Sequence, residues 1–255
     1  MDETFFAGVE TKEVRLSTGS QIGLPVRYYD WSAILAHFPA PARKVQELLP
    51  SPRLKPVLFL PGTALVSLAA MEYRRISDVA PYNEVAVMIP VLYQPRVNIP
   101  GMPLFLPQFF KGFGMYVHRL PVTTKEAYDF GTEIWGYPKF VADITFGETN
   151  ELRRCSLRAD GKDVLTLEVR KWPTKVMSIN YYTYTVKDGQ LLKTPVQARG
   201  HYGIARFKGG ASYTLGNHPM AEELRRVGIG KNALESQYAP RLQSTLCAAE
   251  SRLPL

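Results

Sequence analysis

The chain has 255 residues, of which 45% are hydrophobic, 21% charged and 11% aromatic, a composition that supports a packed core and excludes a disordered or low-complexity segment. Its formal net charge is +8, but the basic residues fall in scattered pairs (Arg74-Arg75, Arg153-Arg154, Arg225-Arg226), so no basic stripe of the kind that binds nucleic acid is visible. Two cysteines, Cys155 and Cys247, are too few for a disulfide framework and lack metal-site spacing.

In chain order, the first ten residues carry acids and no basic n-region followed by an apolar h-region, so no secretory signal is read and a cytoplasmic location is expected. A polar arm follows. Pro41–Leu49 reads as a short helix, with Pro41 in its first turn and Pro50 ending it. The most apolar stretch, Pro56–Met71, is too short to span a bilayer and is interrupted by Pro61-Gly62, so no membrane contact is expected.

Strand-like segments rich in Val, Ile, Thr and Tyr then dominate: Val57–Leu60, Ala64–Arg74, Val85–Tyr93, Met115–Leu120, Phe140–Phe146, Leu152–Ala159, Asp163–Arg170, Met177–Val186 and Gln190–Gln197. Asp160-Gly161 and Asp188-Gly189 fall between alternating segments and mark tight hairpins, because Gly accepts the positive φ the turn requires. The spacing of Thr123-Thr-Lys-Glu126 predicts a helix capped by Thr123 and running to about Trp135, where Gly136-Tyr137-Pro138 ends it. Pro219–Val227 has N-side acids, C-side arginines and Gly228 behind it, as a helix should. A last helix is expected over Pro240–Glu250. The fold expected is mainly β (α+β), a closed or nearly closed antiparallel β-barrel with a few decorating helices, in one domain over 1–255, since so many strands would otherwise leave open edges. The apolar loop Ile99–Phe110 is a candidate interface or pocket lid, which together with its large side chains suggests a homo-oligomer; burial against its own barrel is the alternative.

His37, His118, His201 and His218 are isolated from one another and from the cysteines, so no protein metal site is expected. Gly112-Phe-Gly114 lacks the third glycine and the βαβ setting of a dinucleotide loop, no phosphate-binding glycine loop is present, and no serine stands in a nucleophile elbow. What remains is Glu133-Ile-Trp-Gly-Tyr-Pro-Lys139-Phe-Val. Trp135, Tyr137, Phe140 and Val141 flank Lys139, and Pro138 fixes the backbone before it. Desolvation disfavours the ammonium form and raises the share of free amine able to attack a ketone. The alternative is that the aromatics cover the sheet while Lys139 snorkels to solvent. Composition alone leaves both open.

The run Gly131-Thr-Glu-Ile-Trp-Gly-Tyr-Pro-Lys139 resembles the Gly-Arg-Glu-(x)-(x)-(x)-Tyr-Pro-Lys-Lys segment of the acetoacetate decarboxylase family, whose first lysine forms a Schiff base. Tyr82-Asn-Glu84, leading into Val-Ala-Val-Met-Ile-Pro90, resembles the family's Tyr-x-Glu element, and Asn217-His-Pro-Met-Ala-Glu-Glu-Leu its last helix. The resemblance covers roughly Val26 to Leu253. It implies that Lys139 is the Schiff-base lysine, that Glu84 lies by the reacting centre, and that Arg27 is the active-site arginine, with Tyr82, Trp135, Tyr137 and Phe140 as substrate-binding neighbours and no cofactor. Two departures stand out. A second family glutamate falls on Ala69, and the lysine that follows the Schiff-base lysine is Phe140. The family's decarboxylase is itself the usual example of an amine activated by desolvation or by a cationic neighbour; only desolvation remains here. The resemblance therefore implies a lysine-imine enzyme for a small keto acid. Decarboxylation of a β-keto acid such as acetoacetate is the leading expectation, aldol condensation or dehydration of pyruvate or another α-keto acid the second, and a non-catalytic ligand-binding barrel the third.

Overall fold

The structure, a computed structural model, describes residues 3–255. In chain order its strands begin with β1 (Lys12–Arg15), β2 (Gln21–Leu24) and the long β3 (Val26–Pro41), followed by α1 (Ala42–Gln46), β4 (Leu54–Pro56), β5 (Leu58–Leu60), β6 (Thr63–Ile76) and β7 (Tyr82–Tyr93). A short α2 (Met102–Phe105) leads to β8 (Phe113–Val122), α3 (Lys125–Trp135), β9 (Lys139–Val141), β10 (Asp143–Glu148), β11 (Leu152–Ala159) and β12 (Lys162–Arg170). The chain ends with β13 (Lys175–Lys187), β14 (Gln190–Arg206), β15 (Ala211–Leu215), α4 (Pro219–Val227), β16 (Glu235–Leu246) and β17 (Ser251–Pro254).

Seven strands, in the order β7-β6-β3-β16-β14-β13-β8, close into a barrel when β8 pairs back onto β7. Every joint is antiparallel except β8–β13, which is parallel. Closure removes the exposed edges that so many strands would otherwise present. A second sheet, β10-β11-β12-β15, lies outside the barrel. Strand parity explains both cores. Ala64, Val66, Leu68 and Ala70 on β6 and Val85, Val87, Ile89 and Val91 on β7 are buried with Ile144, Leu157, Leu165 and Leu167 of the outer sheet, while Ala69, Met71, Glu84, Ala86 and Met88 line the barrel interior. Both faces of β6 and β7 are covered, which is why these strands read as nearly continuous apolar runs.

The two Asp-Gly turns form as expected, with positive φ at Asp160 and Gly161 and at Asp188 and Gly189, joining β11 to β12 and β13 to β14. Elsewhere the structure corrects the sequence. The N-terminal arm contains β3, a 16-residue barrel stave. The helix expected over Pro240–Glu250 is strand β16, and Pro240 falls where the β16–β3 register breaks between Ala239 and Leu242. A bulge leaves no ladder bond for the proline's missing N–H to disrupt. Phe140–Phe146 splits at Ala142, so that β9 edges the barrel and β10 the outer sheet. Thr124 rather than Thr123 caps α3, its hydroxyl accepting from the Ala127 N–H at 3.2 Å; the Thr123 hydroxyl accepts from the Asn83 N–H instead.

In the Ile99–Phe110 loop, Ile99, Met102, Phe105, Leu106 and Phe109 are exposed, and none lines the barrel cavity. Among the described residues no helix is long and apolar enough to cross a membrane. Burial pushes the Cys155 thiol up to about 12, which makes it an inert core residue.

Candidate active site

The site begins at the end of α3. Gly136 closes the helix in the left-handed conformation at φ 64°. A Cβ there would lie 2.5 Å from the Val186 carbonyl oxygen, so both the conformation and the space require glycine. The chain then turns back through Tyr137 and Pro138, and β9 pairs in parallel with β8, setting Lys139 opposite Leu120. This return lays the lysine side chain across Gly131. A Cβ on Gly131 would fall 2.4 Å from Lys139 Cε and 2.8 Å from Nζ. The glycine of the motif is thus a groove for the lysine stem.

Within the barrel, Lys139 Nζ donates to Glu84 Oε2 at 2.9 Å, and the two side chains are only 3% and 8% exposed. Three rings surround the amine, with centroids at 5.0 Å (Phe130), 5.4 Å (Tyr82) and 5.9 Å (Tyr137) from Nζ. Snorkelling to solvent is therefore not what this lysine does. Glu84 arrives from β7, held opposite Met71 of β6 and Val122 of β8. Its other oxygen accepts from the Tyr73 hydroxyl at 3.4 Å.

A belt of tyrosines completes the surroundings. Tyr28 and Tyr82 hydroxyls lie 3.3 Å apart, and Tyr137 pairs with Thr183 at 2.9 Å. Burial first, then the negative charge of Glu84, pushes the phenols of Tyr28, Tyr73 and Tyr181 upward, the last to about 12. Burial likewise raises Tyr82 and Tyr137. All five stay protonated near neutral pH and are available as hydrogen-bond donors.

The pair opens into a cavity of about 260 Å³, in which, among the described residues, Lys139 is the one basic amine or guanidine side chain and Glu84 the one carboxylate. Of the residues singled out in the sequence, Lys139, Glu84, Tyr82 and Tyr137 meet here. The others do not. Arg27 faces away from the cavity, where its guanidinium donates to the Val9 carbonyl and the Thr11 hydroxyl, each at 2.5 Å. It neighbours the lining residue Tyr28, and adjacent strand residues point to opposite faces. Trp135 is fully buried behind the site, between Phe130 and Tyr137, with its indole donating to the Cys247 carbonyl at 2.8 Å. Phe140 turns outward onto His218 of α4, so the position after Lys139 does not face the amine at all. Ala69 does line the cavity. Phe130, Tyr28, Tyr73, Tyr181 and Thr183 belong to the site and carry no local sequence signal. They come from four different elements, α3, β3, β6 and β13, which the fold brings together.

The family model described as acetoacetate decarboxylase (ADC) matches residues 14–245. No curated protein matches the sequence. Among solved structures, an acetoacetate decarboxylase is similar with a TM-score of 0.62 at 16% identity, covering 90% of this chain and 89% of the other. The acetoacetate decarboxylase of Legionella pneumophila subsp. pneumophila str. Philadelphia 1 follows with a TM-score of 0.59 at 17% identity, covering 89% and 88%. The enduracididine biosynthesis enzyme MppR, solved with the condensation product of pyruvate and imidazole 4-carboxaldehyde, has a TM-score of 0.61 at 11% identity, covering 94% and 96%.

Proposed function

This chain belongs to the acetoacetate decarboxylase family, and from that premise we propose that Lys139 condenses with the ketone of a β-keto acid and that the resulting iminium accepts the electrons released as CO₂ departs. The observation that carries this reading is a lysine amine, 3% exposed, bonded to one acid inside a closed barrel. Proton transfer within the pair to Glu84 frees the amine lone pair, and the neutral pair avoids holding two charges in an apolar space. The amine adds to the carbonyl, water leaves, and the C–C bond to the carboxylate breaks into the iminium to give CO₂ and an enamine. Glu84 returns a proton to the enamine carbon, and hydrolysis releases the ketone and restores the lysine. Protonated tyrosines around the pair can donate to the oxygen that leaves as water.

The lining favours loss of CO₂ over retention of a carboxylate. No guanidinium and no second lysine lines the cavity, so a substrate carboxylate enters an apolar space beside the acid Glu84. Its charge is lost in the transition state, and an environment that stabilises the carboxylate poorly therefore gains rate. An α-keto acid in a condensation keeps its carboxylate throughout and needs a lasting cationic partner. That is the second reading, supported by the fold shared with MppR. Incubation with acetoacetate and with pyruvate distinguishes them: CO₂ release from acetoacetate is the expected result, while exchange of pyruvate methyl protons without CO₂ release from acetoacetate selects condensation. Inertness toward both leaves a binding barrel.

The Gly131 groove yields a separate expectation. Gly131→Ala suits a helix better by about 1 kcal/mol, so the fold should persist, but the methyl group displaces Lys139 Cε and Nζ. A displacement of about 1 Å at a reacting atom costs roughly 100-fold. Turnover that falls by this order with an unchanged melting temperature is expected; full turnover would show that the groove does not position the lysine.

A further inference from the structure

We propose that the substrate's ketone carries an extended, uncharged apolar chain of about eight to ten carbons, which lies along the barrel from Lys139 toward His37. The inference rests on the imine reading of Lys139 and adds the chemical class of the group attached to the carbonyl.

The cavity is elongated along the staves. At the level of the lysine–glutamate pair, Ala33, Met71 and Glu84 lie side by side on β3, β6 and β7. Four residues further on the same three strands stand His37, Ser67 and Met88, again side by side. Residues at both levels line one continuous cavity. Four residues of strand span about 13 Å, the length of a zigzag chain of roughly eight to ten carbons at C–C bonds of ~1.5 Å. Leu35, Ala86, Met88, Met115 and Val117 line this stretch. None is charged, and the thioethers adapt readily to a chain.

The far end is polar and neutral. Burial outweighs the nearby Glu235 and holds His37 below its ordinary range, and its Nδ1 pairs with the Ser67 hydroxyl at 2.7 Å. The nearby Arg206 is paired with Glu235, and neither side chain lines the cavity. A four-carbon acid bound at Lys139 would leave this length empty, although the cavity approaches the roughly 300–1,000 Å³ of pockets that enclose drug-sized ligands. Each methylene moved from water into such a lining is worth about fourfold in binding.

The test is a chain-length series of β-keto acids, from 3-oxobutanoate to 3-oxotridecanoate, with kcat/KM read from CO₂ release and the imine trapped by borohydride in parallel. A rise of at least 100-fold across the series is expected. Val117→Phe, which narrows the cavity at the level of Met88, should move the optimum to shorter acids. Trapped imine and CO₂ release with a flat or falling series would overturn the chain while leaving the imine in place. No trapped imine at any length would remove the lysine chemistry and this inference with it.

Discussion

Lys139→Arg is expected to abolish the borohydride-trappable adduct and to lower CO₂ release by a factor on the order of 10⁵–10⁶, the scale on which removal of a covalent nucleophile acts. Arginine keeps a positive charge beside Glu84, but its guanidinium has no free amine to form an imine. The buried acid therefore keeps an ionic partner, avoiding the several-kcal/mol cost of stranding one member of a buried pair. Because the lysine stem lies against Gly131, a second variant, Lys139→Met, keeps the stem and removes the amine. Near-UV circular dichroism of both should report a folded barrel. Retained turnover in either folded variant would mean that another group does the chemistry.

Glu84→Gln is expected to lower kcat by about 10²–10⁴-fold, the range for loss of a positioned proton carrier. The amide oxygen can still accept from Lys139, whose contact to Glu84 is 2.9 Å, while the amide NH2 takes the place of the oxygen that faced Tyr73 and donates to its hydroxyl, so the amine stays in place. What is lost is the group that takes the lysine proton and returns one to the enamine. The imine should still form and be trapped, more slowly, which separates this variant from Lys139→Arg. Single-turnover trapping against steady-state CO₂ release measures the difference. An unchanged kcat would assign proton transfer elsewhere, the neighbouring phenols of Tyr73 and Tyr82 being the next candidates.

The barrel was legible in the sequence where local chemistry dictates it. Asp160-Gly161 and Asp188-Gly189 can hardly be anything but hairpin turns, and the strands beside them follow from alternation. The helix over Pro219–Val227 has the expected bounds, and the His218 ring caps it. Strands that depend on closure were not legible. Stave β3 contains Pro39 and Pro41 and alternates between a mixed cavity face (Tyr28, Trp31, Ala33, Leu35, His37) and an apolar outer face, a pattern that reads as strand only when both neighbours are known. For β16, Pro240 and the polar stretch after it signal a helix start, and only a bulge in the ladder makes the proline acceptable.

The same division runs through the site. Lys139 and its turn are local features, and Tyr82 and Glu84 follow from a short motif. Arg27 rests on the family resemblance, which does not say which face of a strand a side chain takes. Strand parity applied outward from Lys139 places Phe140 on the opposite face, so the missing second lysine is a change at a position that points away from the amine. The consequence is chemical: among the described residues no second lysine or arginine lines the cavity, so the proposed reaction relies on the apolar setting of Phe130, Tyr82 and Tyr137 and on Glu84 bonded to the amine.

The most direct test of the account is reduction of the intact protein with borohydride in the presence of a β-keto acid, followed by peptide mass spectrometry. One reduced adduct is expected, on the peptide containing Lys139 and on no other lysine. Absence of an adduct, or an adduct on a different lysine, would contradict it.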